Sequence, residues 1–199
     1  MSAADVVIIA SGGANLASLQ FALQRLGASS RVSADAGQIR DASHVILPGV
    51  GAAAAAMSRL KEENLLDLIP TLEQPVLGIC LGMQLLLEAS DEGDAHCLGI
   101  IPGRAGRFAA APARPVPHMG WNTLKIDRPS ALLEGLRHGD YAYFVHSYAL
   151  ATGDATIASC DYGNPFSACV QWRNFYGAQF HPERSAKVGA RLLHNFLEL

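Results

Sequence analysis

The sequence predicts an α/β fold: a central, mostly parallel sheet flanked by helices, with an antiparallel addition in the second half of a single domain spanning 1–199. Three observations predict it. Residues 6–10, 45–47 and 76–79 are apolar runs of strand length, the pattern of strands buried on both faces of a helix-covered sheet. Each run is followed by turn chemistry and then by helical composition. After residue 140 the runs become aromatic and β-branched, with a tight turn between two of them.

The elements follow in order. The first run ends in Ser11-Gly12-Gly13, and Leu16, Leu19, Leu23 and Leu26 then recur at helical spacing, with Gly27 as the stop. The second run closes on Pro48-Gly49-Val50-Gly51, ahead of a helix over 52–61. Pro75 opens the third run, which leads into a helix over 81–88. Residues 91–130 hold half of the ten prolines and little periodicity. A strand is expected over 141–150, and a hairpin over 166–172 and 175–180 turns at Arg173-Asn174. Residues 185–199 read as an amphipathic helix with Val188, Leu192, Phe196 and Leu199 on one stripe.

Composition narrows the function. The 199 residues are half hydrophobic and 17% charged, which suits one folded domain and excludes a disordered chain. A net charge of −3 without a basic block argues against electrostatic nucleic-acid binding. The apolar runs are too short and broken for a membrane helix, and the N-terminus lacks the basic and apolar regions of a signal peptide. The four cysteines form no C-x-x-C pair, which disfavours a metal site or disulfides and points to a reducing cytoplasm. Nothing calls for a metal or a cofactor.

Gly78-Ile79-Cys80-Leu81-Gly82 has the form G-x-nucleophile-x-G between a strand and a helix, the setting of a nucleophile elbow. The glycines relieve crowding across the turn. A thiol there is exposed above the sheet edge, at a helix N-terminus that favours its anion, with the Leu81 N–H aimed at a developing oxyanion. A buried structural cysteine is the competing reading; Cys97, Cys160 and Cys169 lack the flanking glycines and take it. A thiol nucleophile needs a base, and the base an orienter. His181 follows a strand end, and Glu183, two residues on, can fix its tautomer; alone, that pair reads as a surface loop. The glycines flanking Val50 let the Val50–Gly51 stretch reorient, so that a second N–H completes an oxyanion hole.

Gly78–Gln84 together with His181-Pro182-Glu183 resembles the class I (triad) glutamine amidotransferases. The stretches Pro48-Gly49-Val50-Gly51, 117–122, 143–148 and 177–183 together resemble the glutaminase subunits of imidazole glycerol phosphate synthase, over residues 15–199. The resemblance implies the class I amidotransferase fold and release of ammonia from glutamine by Cys80, His181 and Glu183. It also implies that Gln84, Glu92, Ser147 and Tyr148 hold the α-amino and α-carboxylate groups. It further implies a separate (β/α)₈-barrel cyclase partner in histidine biosynthesis, met by Asn15, Met119, Trp121, Asn122 and Arg184. Taken without it, Gln84 is an unremarkable exposed helix residue, Glu92 part of a solvated acidic loop, Trp121 a core anchor and His118 a solvated loop residue. Glutaminases of the pyridoxal phosphate synthase type, or an elbow-cysteine amide hydrolase, are the alternatives. The chain departs from the family at Ala10-Ser11, Ala14, Ala52-Ala53 and Arg184, which puts contact details in question rather than the three catalytic candidates.

Overall fold

The computed structural model describes residues 4–10, 16–112 and 114–199. Strand β1 (Asp5–Ile9) leads to helix α1 (Leu16–Arg25), then β2 (Ser29–Ser33), α2 (Ala36–Asp41), β3 (His44–Leu47) and α3 (Ala53–Glu62). Next come β4 (Val76–Ile79), α4 (Leu81–Leu85), β5 (Leu87–Ser90), β6 (Ala95–His96), β7 (Ile101–Arg107), β8 (His118–Thr123) and β9 (Lys125–Ile126). The chain ends with β10 (Tyr141–His146), β11 (Tyr148–Leu150), β12 (Thr156–Asp161), β13 (Pro165–Trp172), β14 (Phe175–Ala178) and α5 (Ala186–Leu197).

The main sheet has eight strands in the order β2-β1-β3-β4-β14-β13-β12-β9. Every pairing from β2 to β14 is parallel, and those from β14 to β9 are antiparallel. This is the expected parallel sheet with its late antiparallel addition. Along β1 the side chains alternate between two cores. Val6 and Ile8 join α1 and α5 through Leu23, Leu192 and Phe196 on one face. Val7 and Ile9 join α2, α3 and α4 through Ile39, Leu60 and Met83 on the other.

Helix α1 ends where Gly27 sets it. Gly27 has φ +81°, its N–H reaches Gln24 O at 3.0 Å and the Ala28 N–H reaches Leu23 O at 3.1 Å, the paired bonds of a Schellman cap. Two early elements carry little sequence signal. β2 is a polar edge strand, with Arg31 ion-paired to Asp5. The six-residue α2 is started by Asp35, whose carboxylate accepts from Gln38 N at 2.8 Å.

Four readings need correction. The helix after Cys80 stops at Leu85, and residues 87–90 are a strand paired with β7; the leucine run there fits either state, since it is buried throughout. Residues 91–130 carry β7 and β8, seeds of a four-stranded sheet (β11-β7-β5-β6) and a two-stranded one (β10-β8). The strand expected over 141–150 is interrupted at Ser147, where the chain passes from β10 in one small sheet to β11 in the other. Leu199 lies beyond the end of α5 and is exposed, whereas Leu192 and Phe196 are fully buried. We expect Phe196→Ala to cost about 3–5 kcal/mol in urea unfolding and Leu199→Ala less than about 0.5 kcal/mol; equal losses would contradict this placement of the last helix.

Candidate active site

Strands β3, β4 and β14 are neighbours, and Leu47, Gly78 and Gly177 are aligned across them. The residues that follow each strand therefore emerge side by side at the carboxyl edge, where open α/β sheets bind ligands. Pro48–Gly51 stands on one flank, Cys80 in the middle, and Gln179 to His181 on the other. A cavity of about 820 Å³ opens there.

Cys80 has φ +53° and ψ −112°, a strained conformation for a side-chain-bearing residue. Its N–H is anchored on Ala178 O at 2.8 Å. The turn leaves no room for side chains around it. A Cβ on Gly78 would lie 2.7 Å from Gly82 O and from the Met83 backbone; one on Gly82 would lie 1.8 Å from Leu47 O. Gly49 packs as closely, its Cβ position 2.8 Å from Gly82 N, so the 48–51 loop sits directly on the elbow. Val50, Gly51 (φ +90°) and Leu81 all line the cavity.

His181 is held by its backbone: its N–H donates to Tyr143 O at 3.0 Å, and its carbonyl accepts from Ser185 Oγ at 2.7 Å. Ser185 Oγ in turn accepts from Tyr143 N at 2.9 Å. The ring Nδ1 lies 2.9 Å from Glu183 Oε1. A carboxylate oxygen accepts, so Nδ1 carries the proton and Nε2 serves Cys80. Burial opposes charge on His181, but hydrogen bonding and charge from Cys80 and Glu183 prevail, and its pKa is pushed up to about 10. Because that value is raised above 6.5, the stability it contributes is fully present below pH 6.5 and is lost as pH rises through about 10. We expect ring NMR shifts to show a cationic His181 at pH 8, titrating at lower pH in Cys80→Ala; a midpoint that does not move would break the pairing with Cys80. Burial pushes the Cys97 thiol up to about 11 and Cys160 to about 12, and raises Cys169 as well; none of these three lines the cavity, and Cys80 does.

The residues read as substrate ligands converge on the same cavity. Gln84 is buried rather than exposed. Its Nε2 donates to Tyr148 O at 2.9 Å and Gln179 Oε1 at 3.1 Å; with both N–H groups spent inside the protein, it presents an acceptor, Oε1. Ser147 and Tyr148 stand at the break between β10 and β11 and line the cavity with Gln84 and Glu92. Glu92 is not a merely solvated acid: its Oε2 accepts from Ala53 N at 2.9 Å. It caps α3, whose own N-cap, Ala52, offers no side-chain bond. Asp91 and Asp94 on either side are ion-paired to Arg104.

A family model described as glutamine amidotransferase class-I matches residues 8–199. The imidazole glycerol phosphate synthase subunit HisH 2 of Legionella pneumophila (strain Paris) is 54% identical over 194 residues, covering 98% of each chain. The corresponding HisH subunit of Xylella fastidiosa (strain Temecula1 / ATCC 700964) is 53% identical over 195 residues, with the same coverage. This chain belongs to the class I glutamine amidotransferases. A crystal structure of a glutamine amidotransferase shares the fold with a TM-score of 0.75 at 20% identity, covering 97% of each chain.

Against the expectations for this amidotransferase, the proposed contact residues separate. Met119 and Trp121 point outward from β8, 63% and 52% exposed, so Trp121 is not a core anchor. Tyr143 packs edge-on against Trp121, with ring centroids 5.8 Å apart, and the Arg184 guanidinium stacks 4.5 Å over Tyr143. Asn122 instead turns inward: its Nδ2 donates to Asp161 O at 2.9 Å and its Oδ1 accepts from Thr123 N at 2.8 Å. His118 is buried, not solvated. Asn15, and the departures at Ser11 and Ala14, lie outside the described residues. Sequence reasoning assigned no role to Gln179, which is fully buried with Nε2 3.8 Å from Cys80 Sγ. Its signal was a long polar side chain next to the base, in a stretch otherwise apolar.

Proposed function

We propose that this chain hydrolyses L-glutamine to glutamate and ammonia, and passes the ammonia to a separate (β/α)₈-barrel cyclase that makes imidazole glycerol phosphate for histidine biosynthesis. The observation that carries the chemistry is the strained Cys80 beside a His181 bonded to Glu183, in one cavity with Gln84, Glu92, Ser147 and Tyr148. The near-full-length likeness to HisH subunits supports the pathway and the partner.

In this reading the Cys80 sulfur attacks the side-chain amide carbon, and the oxygen becomes an oxyanion facing the N–H groups of Leu81 and of the Val50–Gly51 stretch. The imidazolium of His181 gives its Nε2 proton to the amide nitrogen; the C–N bond breaks, leaving a glutamyl thioester and ammonia. Neutral His181 then takes a proton from water as the water attacks the thioester, and glutamate departs with the thiolate restored. Glu183 holds the ring and balances its charge throughout. Gln84 Oε1 and Glu92 suit an α-ammonium group, since both present acceptors. Ammonia free in neutral water becomes ammonium and loses its nucleophilicity, so a tight partner and a dry passage are required. Met119, Trp121 and Arg184 are our contact residues for it, and the four free cysteines suit a cytoplasmic setting. The test is ammonia release from glutamine, with and without the cyclase and its nucleotide. We expect slow turnover alone and strong stimulation by the liganded partner; no release in either condition would refute the reading.

A further inference from the structure

A buried pair of histidines, His146 in the cavity wall and His118 behind it, takes no part in the chemistry above. His118 Nδ1 lies 3.1 Å from His146 Nε2, His146 Nδ1 lies 2.9 Å from Tyr148 O, and Asn122 Nδ2 lies 3.3 Å from His118 Nε2. The direction of every bond is set from both ends. Tyr148 O only accepts, so His146 Nδ1 donates, and in a neutral ring its Nε2 must then accept from His118 Nδ1. His118 Nε2 is left as an acceptor, and Asn122 supplies a donor. The Asn122 amide cannot turn over, because Nδ2 also donates to Asp161 O and Oδ1 accepts from Thr123 N. The rings are clamped as well: His118 is stacked between Tyr162 and Phe144, with centroids at 4.0 and 5.0 Å, and Phe108 packs against His146 at 5.2 Å. Burial keeps both neutral, His118 pushed down to about 4 and His146 to about 3.

The relay ends where the chain changes sheets. At Ser147 the backbone leaves β10 for β11; Ser147 belongs to neither strand, its carbonyl accepting from Phe108 N at 3.0 Å just beyond the end of β7. Tyr148 O receives both the His146 N–H and the Gln84 amide, so the relay and the substrate-facing Gln84 meet on one carbonyl. We propose that His118 and His146 are positioning residues that fix the Ser147–Tyr148 segment as the substrate-binding strap through a chain of neutral, single-tautomer hydrogen bonds from Asn122 to Tyr148 O. The proposal rests on the glutaminase reading.

Two isosteres separate the halves of the His146 ring. Asparagine places a donor near the Nδ1 position and keeps the bond to Tyr148 O. Glutamine places an acceptor near the Nε2 position and loses it. With the full chain and its cyclase partner, we expect His146→Gln to raise KM for glutamine about tenfold with kcat within about threefold, and His146→Asn to stay within about threefold of the parent in both. Equal KM values in the two variants would overturn the proposal, whereas a parent enzyme that releases no ammonia overturns the glutaminase reading instead. Ring ¹⁵N shifts of the unmodified protein give a second measurement that does not depend on the variants folding. Both histidines should be neutral with the proton on Nδ1 at pH 7, and an Nε2–H tautomer or a cationic ring at either position would refute the relay.

Discussion

Replacing Cys80 with serine is expected to lower glutamine-dependent ammonia release by at least about 10⁴-fold, the scale seen when a nucleophile that acts as one unit with its base is removed. Serine preserves the size and the elbow but not the reactivity. The His181 imidazolium is raised by its partnership with Cys80 and Glu183, and an alcohol gives it no anion to pair with. Synthesis by the complex from an added ammonium salt should survive, because the substituted atom touches only the amide-cleaving step. Loss of both activities would show that the change disturbs the partner or the fold. Retention of glutamine turnover would remove Cys80 from the chemistry and leave the elbow geometry unexplained.

The fold was legible where burial on both faces leaves no ambiguity. β1, β3 and β4 are continuous apolar runs because helices cover the sheet on either side. β2 was not legible, since an edge strand answers to no apolar pattern. The leucine run after the elbow reads as helix throughout although it holds both a helix and a strand, because a buried strand and a buried helix look alike over eight residues. Local chemistry announced the elbow and the candidate nucleophile: a G-x-C-x-G turn has a steric cause that acts within five residues. The meeting of Cys80 with His181 depends on a different kind of information, the parallel pairing of β4 with β14, two strands nearly a hundred residues apart in sequence. Glu92 and Gln179 show the same limit. One is tied to the N-terminus of α3 and the other to the Cys80 thiol, and neither contact is encoded by its neighbours in the chain.

The second large effect is expected at a residue with no functional group. In Gly82→Ala the added methyl would meet Leu47 O at 1.8 Å, Leu47 C at 2.7 Å and Pro48 C at 3.1 Å. All three are backbone atoms, so no side chain can swing aside, and the start of α4 must move away from the end of β3. Overpacking of this kind costs about 3 kcal/mol, or a fall of roughly 6–12 °C in Tm for a chain of this size. Activity should fall further than stability does, because the same movement displaces the 48–51 loop and the Leu81 N–H, the proposed oxyanion donors, from Cys80, and one misplaced donor of that kind costs about 10²–10³-fold. Gly27→Ala supplies the contrast. Nothing lies within 4 Å of its Cβ position, and its φ of +81° makes the change a matter of backbone strain at the end of α1, worth about 1 kcal/mol. Turnover in Gly27→Ala should match the parent below its melting range. If Gly82→Ala behaved like Gly27→Ala, with a modest loss of stability and full turnover, the close approach of β3 to the elbow would have no part in holding the oxyanion loop against Cys80.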